Sequence, residues 1–134
     1  MNMLKKIDLK KAALINIFVI ALAIIVHFLV IIQVIPYNWV SGGQLETYEM
    51  QKQVSIFSIL ILLVTVPINL WGGKIILKNK FYVLLKILLI ILCAYFAIGF
   101  FMQILGTLFE KIAMSVLCLI HFIMYLRMAI EKNE

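Results

Sequence analysis

The sequence predicts an all-α fold: an integral membrane, antiparallel four-helix bundle with both termini in the cytoplasm. Three observations carry this expectation. The 134 residues are 66% hydrophobic and only 13% charged, where a soluble domain has about 25% charged residues. With a mean hydropathy of +1.16, the chain cannot cover its own apolar surface in water, and lipid is the solvent that removes the difficulty. Four stretches have the roughly 20 mainly apolar residues that a spanning helix needs. Finally, the basic residues are placed asymmetrically. Lys5, Lys6, Lys10 and Lys11 precede the first stretch, Lys74, Lys78, Lys80 and Lys86 surround the junction of the second and third, and Arg127 and Lys132 close the fourth. The other connections carry only Lys52 and Lys111. An excess of Lys and Arg marks cytoplasmic segments, so the pattern predicts N-in, C-in with four crossings.

The first helix is expected over residues 12–35. Its apolar run is far longer than the ~7–15 residues of a signal h-region, and the Ala21-Leu22-Ala23 pattern runs on into Ile24-Ile25-Val26. It therefore reads as a retained span, with Pro36 as its stop, because proline cannot donate to a preceding turn. The connection 36–49 is the only sizeable one. Gly42-Gly43 permits a turn with positive φ, and Thr47 is a candidate N-cap with Glu49 in the first turn, where acidic residues suit the helix dipole. The second helix is expected over 53–71 and carries Pro67, a kink or hinge position. The connection 72–80 is short and basic. The third helix is expected over 81–102 and the fourth over 108–130, joined by a tight hairpin. There Gly106 ends one helix, and Thr107-Leu108-Phe109-Glu110 reads as a capping box. Short second and third connections predict antiparallel packing of sequential neighbours. The whole chain reads as one membrane domain with little mass outside the bilayer. Tyr37, Trp39 and Tyr48 at one level and Trp71, Phe81 and Tyr82 at the other fit interfacial aromatic belts.

Several of these residues also form a pattern. His27, then Gln33-Val34-Ile35-Pro36-Tyr37, Gly42-Gly43-Gln44-Leu45 and Phe109-Glu110-Lys111 resemble the motifs of a family of small four-helix bacterial integral membrane proteins that are themselves uncharacterised. The resemblance implies a fold and a topology, and no activity. In those relatives an Arg usually follows the Gly pair, often with a Trp before it, and a second acidic residue stands near the start of the second helix. Here the corresponding residues are Gln44, Ser41 and Ser55, so a role for that Arg in holding an anion does not carry over.

Polar side chains at bilayer depth are costly, and each needs a reason. Counting at 1.5 Å per residue from the outer helix ends, His27, Tyr95 and Ser115 all lie about 10–12 Å deep, beneath Gln33, Gln44 and Glu110. The sequence therefore predicts an outward-facing polar pocket with ligand-binding residues His27, Gln33, Gln44, Tyr95, Glu110 and Ser115. The competing expectation is that His27 only fixes helix packing, and that Glu110 only caps its helix. The inner half holds Asn16, Thr65, Asn69, Lys86, His121, Tyr125 and Arg127; Lys86 and Arg127 are expected to reach for the interface. Cys93 and Cys118 share one depth, yet disulfide geometry is exacting and buried Cys is usually a small apolar residue. Met114, Cys118, His121, Tyr125 and Met128 recur on one helix face. That stripe reads as packing rather than as a soft-metal site. His27 and His121 are offset by roughly 8 Å along the axis, which argues against bis-His haem.

No cofactor and no metal is therefore expected, and no catalytic residue set stands out. The expected partner is the lipid bilayer, with a homo-oligomer or a partner membrane protein as further candidates, and no nucleic acid. The leading functional expectation is a non-enzymatic small-molecule binding or transport protein of the bacterial cell membrane. The alternatives are an accessory or regulatory subunit that docks a partner and, third, an enzyme acting on a lipid or quinone through His27, Tyr95 and Glu110.

Overall fold

The computed structural model describes residues 2–78 and 80–132. A short turn of helix, α1 (Asn2–Lys5), precedes three long helices, α2 (Leu9–Ile31), α3 (Tyr48–Gly72) and α4 (Tyr82–Leu105). The fourth span runs over Glu110–Ala129 and consists of a π-helical turn, Glu110–Met114, followed by α5 (Ser115–Ala129). All four spans are long and apolar enough to cross a membrane, and no strand occurs among the described residues. Large apolar side chains such as Phe18, Val64, Ile91 and Ile112 are exposed on every span, a surface that water would not tolerate and lipid does.

Local chemistry sets the helix ends. Asp8 caps α2, its carboxylate accepting from the Lys11 N–H at 3.1 Å. Thr47 caps α3 through the Met50 N–H at 3.3 Å, as its sequence position predicts. The far end of α2 differs from expectation. The helix stops at Ile31, well short of Pro36, because Gln33 takes a left-handed conformation (φ 61°). Gln33 N–H then reaches the Val30 carbonyl at 3.1 Å, and Val34 N–H reaches that of Leu29 at 2.9 Å. This is a Schellman closure with a glutamine at the position usually held by glycine. Lys74 (φ 55°) closes α3 in the same way, its own N–H on the Trp71 carbonyl at 2.9 Å and that of Ile75 on Leu70 at 2.9 Å.

The packing order is also not the sequential one. α2 lies along both α3 and α5, and α4 lies along α5, whereas α3 and α4 touch least of the helix pairs adjacent in sequence. The short 73–81 connection holds the ends of α3 and α4 together, with the Trp71 indole N–H donating to the Lys80 carbonyl at 3.1 Å. Beyond that end the two helices diverge. Buried apolar residues, among them Ala12, Ile20, Leu89, Tyr125 and Met128, fill the half of the bundle near the chain termini. The half nearer the 32–47 loop is left partly open.

At the terminal end, small residues let backbones approach closely. A methyl group on Gly73 would stand 2.5 Å from the Cβ of Ala13, an atom fixed to the α2 backbone, whereas on Gly72 it would meet the flexible Met128 Sδ at 2.7 Å. Gly73→Ala is therefore expected to push α2 from α3 and cost about 1–3 kcal/mol. Gly72→Ala is expected to cost less. Unfolding midpoints of the two variants in detergent check this, and equal midpoints would contradict it.

Candidate functional site

The loop end of the bundle is built on Glu110. Gly106 ends α4, and Thr107 begins the next helix with a reciprocal capping box. Thr107 Oγ1 accepts from Glu110 N–H at 3.3 Å, and Glu110 Oε2 accepts from Thr107 N–H at 2.8 Å. The carboxylate does more than cap. It also accepts the backbone N–H of Gly42, 3.1 Å from both oxygens, which fastens the 32–47 loop across the end of the bundle. Thr107 Oγ1 donates to the Trp39 carbonyl from the other side, and the Trp39 ring leans on Phe109 at 6.0 Å. The loop can present Gly42 N–H to the carboxylate because Gly42 and Gly43 both take positive φ (67° and 68°), which costs glycine nothing. Glu110 is only 4% exposed, so its charge rests on these N–H donors.

The π-helical turn follows directly. Ser115 N–H bonds to the carbonyl of Glu110, five residues back, and this leaves the Lys111 carbonyl without its usual donor. The Ser115 hydroxyl supplies one. Such turns insert one residue into a helix and re-aim the side chains beside them. Here Met114, Leu117, Cys118 and His121 face a cavity of about 370 Å³. The cavity lies under the loop among all four spans, with Ser41 and Glu110 at its mouth and Phe96 and His121 at its floor. Val54, Ser58 and Ile61 of α3 face Tyr95, Ile98 and Met102 of α4 across the gap where these helices diverge. Val54, Tyr95, Ile98 and Met102 are exposed, so the cavity is open sideways as well as at its mouth.

Its floor is a polar network that ties three helices together. Asn69 of α3 donates through Nδ2 to the Thr65 carbonyl and to Tyr125 Oη of α5, both at 2.8 Å. A carbonyl is an obligate acceptor, so this contact fixes which end of the Asn69 amide is NH₂. Asn69 Oδ1 therefore accepts, and does so from Asn16 Nδ2 of α2 at 2.7 Å. Asn16 Oδ1 is then left facing His121 Nδ1 at 2.5 Å, and Nδ1 must carry the hydrogen. A charged imidazole here would be an unpaired buried cation, so the ring is neutral and Nε2 holds a lone pair. That nitrogen is buried with no hydrogen-bond partner among the described residues. Phe96 lies against the ring at 4.3 Å between centroids and stacks on Tyr125 at 5.5 Å. Asn16, Asn69, Tyr125 and His121 are all at most 1% exposed, and the floor is closed toward the terminal half.

Of the six residues that the sequence nominated, His27, Tyr95 and Glu110 line the cavity. His27 Nδ1 stands 3.4 Å from Ser55 Oγ, which also receives the Gln51 amide at 3.1 Å. Tyr95 lies at the side opening and is 54% exposed. Ser115 is spent on the Lys111 carbonyl, and Gln33 is exposed at the end of α2; neither lines the cavity. Gln44 is exposed and does not line the cavity, but borders a neighbouring depression that shares Ser41, Gln103 and Glu110 with it. His121, Gln103, Met114 and Cys118 were not nominated and do line it. The one signal for three of them was the helix-face stripe, which the sequence left as packing. Gln51 Oε1 and Gln103 Oε1 are also buried without a partner among the described residues, and of the two only Gln103 lines the cavity. Cys93 and Cys118 are both free thiols, and no group of three His, Cys, Asp or Glu side chains among the described residues stands close enough to hold a metal ion.

Comparison of the chain with protein-family models, with curated proteins and with solved structures finds no match, so the functional reading is carried by this geometry.

Two expectations follow. A methyl group on Gly106 would fall 2.1 Å from Glu110 Oε2, so Gly106→Ala should displace the carboxylate and free the loop. Amide exchange at Gly42 should then quicken at least tenfold while exchange in the terminal half is unchanged; unaltered exchange at Gly42 would show that the loop is held by other contacts. For His121, ¹⁵N spectra of the histidine-labelled protein should show the proton on Nδ1 and a lone-pair nitrogen at Nε2. The opposite tautomer would break the chain of amide orientations derived above.

Proposed function

We propose that this chain is a multi-pass membrane protein of the bacterial cell membrane, with both termini cytoplasmic, that binds a small amphiphilic molecule in the cavity beneath its outer loop. The observation that carries this reading is a mostly apolar cavity of about 370 Å³ with two partnerless acceptors, His121 Nε2 and Gln103 Oε1, on residues that line it. An unmet buried acceptor costs about 1–3 kcal/mol, and a ligand that donates to it recovers that loss. The orientation is favoured by the positive-inside distribution of lysines, which puts the Glu110 end and the cavity mouth outside.

The same chemistry narrows the ligand. Among the described residues no lysine or arginine lines the cavity, and the one charged residue that does is Glu110, so an anion finds no counter-charge. The favoured ligand has an apolar body and a neutral or cationic donor, as in an alcohol, a phenol or an amine. The divergence of α3 and α4 favours access from the hydrocarbon phase. Docking the donor on Nε2 requires the Phe96 ring to turn aside. The sealed Asn16–Asn69–His121–Tyr125 floor favours binding over passage through the bundle.

Native mass spectrometry from gentle detergent tests this, together with binding of 4-hexylphenol, its methyl ether 4-hexylanisole and 4-hexylbenzoate. The phenol should bind at least tenfold more tightly than the ether, and the benzoate more weakly still. His121→Asn keeps a donor for Asn16 while deleting the Nε2 acceptor, and should erase the preference for phenol without unfolding the bundle. Equal binding of phenol and ether would overturn the donor assignment. A bare protein that takes up none of the three would overturn the binding function.

A further inference from the structure

A second depression lies at the opposite end of the molecule, unconnected with the cavity. It has a volume of about 470 Å³ and is bordered by Lys5, Lys6, Lys10, Lys74 and Arg127, with Asp8 and Glu131 as its acidic members. Both acids already have partners. Asp8 holds the Lys11 N–H as the cap of α2, and Glu131 Oε2 takes Arg127 Nη1 at 2.8 Å. Arg127 is only 5% exposed, and its Nε donates to the Ile7 carbonyl at 2.7 Å. The guanidinium is thus fixed against the segment that leads from α1 into α2, and this contact shapes the depression. Among the described residues, no carboxylate lies within ion-pair distance of Lys5, Lys6, Lys10 or Lys74. Five cationic side chains, four of them lysines without an ion-pair partner among the described residues, therefore border the depression against two carboxylates, at the level of the helix ends. Ile75, Ile76 and Leu77 are exposed beside Lys74, an apolar flank next to a cationic bowl.

From this arrangement we propose that the depression binds the phosphate of an anionic phospholipid, with the lysines around the phosphodiester and the acyl chains along the apolar flank. Lysine ammoniums hold phosphate as compact point charges, and basic pockets at helix ends suit anionic headgroups. The apolar flank favours a lipid over phosphate in solution.

The test uses the full chain in nanodiscs of phosphatidylglycerol and phosphatidylcholine mixed equally, with lipid retention read by native mass spectrometry. The wild type should keep one or two phosphatidylglycerol molecules and no phosphatidylcholine. In a Lys5→Gln, Lys6→Gln, Lys10→Gln variant, whose helix content is checked by circular dichroism, affinity should drop by roughly fivefold for each lysine removed. It should also weaken with salt. Lys52→Gln with Lys111→Gln, at the other end of the bundle, should change nothing. Retention that ignores the three lysines, or equal retention of phosphatidylcholine, would overturn the proposal. Inorganic phosphate that binds in pure phosphatidylcholine discs with the same lysine dependence, and expels phosphatidylglycerol from mixed ones, would reassign the site to a soluble anion and overturn the lipid.

Discussion

The architecture depends on one chain of hydrogen bonds in the middle of the bundle. It starts at the Thr65 carbonyl, passes through the amides of Asn69 and Asn16, and ends on His121 Nδ1, with Tyr125 joined at Asn69. In a bilayer these groups have no water to fall back on. They must find one another, and doing so brings α2, α3 and α5 to a common line. Individual interhelical hydrogen bonds in membranes contribute about 0.6–2 kcal/mol, so the network matters more for register than for raw stability. α4 contributes no member to it. That helix is held to α5 by apolar and aromatic packing, with Phe96 on the His121 and Tyr125 rings, and is left free to stand away from α3. The side opening of the cavity follows from which helices the polar chain includes.

Glu110 completes the other end by a related economy. One carboxylate caps its own helix and holds the loop through Gly42. The π turn that begins at the same residue re-aims α5, so that Met114, Cys118 and His121 look into the space beneath the loop. The loop, the turn and the cavity therefore share one anchor. Gly106 must be glycine for that anchor to fit, since the carboxylate occupies the volume of a side chain there.

Much of the fold was legible in the sequence, because lipid imposes strong rules. Four long apolar runs, the Thr47 cap and the Thr107–Glu110 box could be read from residue type and spacing. The end of α2 was not. Proline is a loud stop signal, but a left-handed glutamine at position 33 closes the helix first, and no propensity marks that residue for the role. The packing of α3 on α4 was misjudged for a related reason, whereas that of α4 on α5 is as expected. A short connection fixes where two helices begin, while side chains further along decide whether they stay together, and α3 and α4 do not. Depth counting placed His27 and Tyr95 at one level beneath Glu110, and all three line the cavity. It also gathered Ser115, because depth carries no information about rotation, and a π turn makes rotation unpredictable from a 3.6-residue period. His121 was grouped with the inner-half residues, apart from His27, yet both line one cavity.

The cavity and its floor bear differently on transport. A pathway for a polar solute needs a continuous line of partners, and here the line is interrupted. Below His121 each donor and acceptor of Asn16 and Asn69 that the network uses is matched within the protein, and Tyr125 and Phe96 fill the section between them. Opening it would strand several buried polar groups at once, each at about 1–3 kcal/mol. Above His121 the balance is reversed, since among the described residues His121 Nε2 and Gln103 Oε1 have no partner to lose and the walls are already separated. The low-cost motion is therefore a widening between α3 and α4, together with a turn of the Phe96 ring, rather than a break in the floor. A structure that is stiff below one histidine and yielding above it suits the proposed ligand, which would enter between α3 and α4, occupy the half beneath the loop and leave by the way it came.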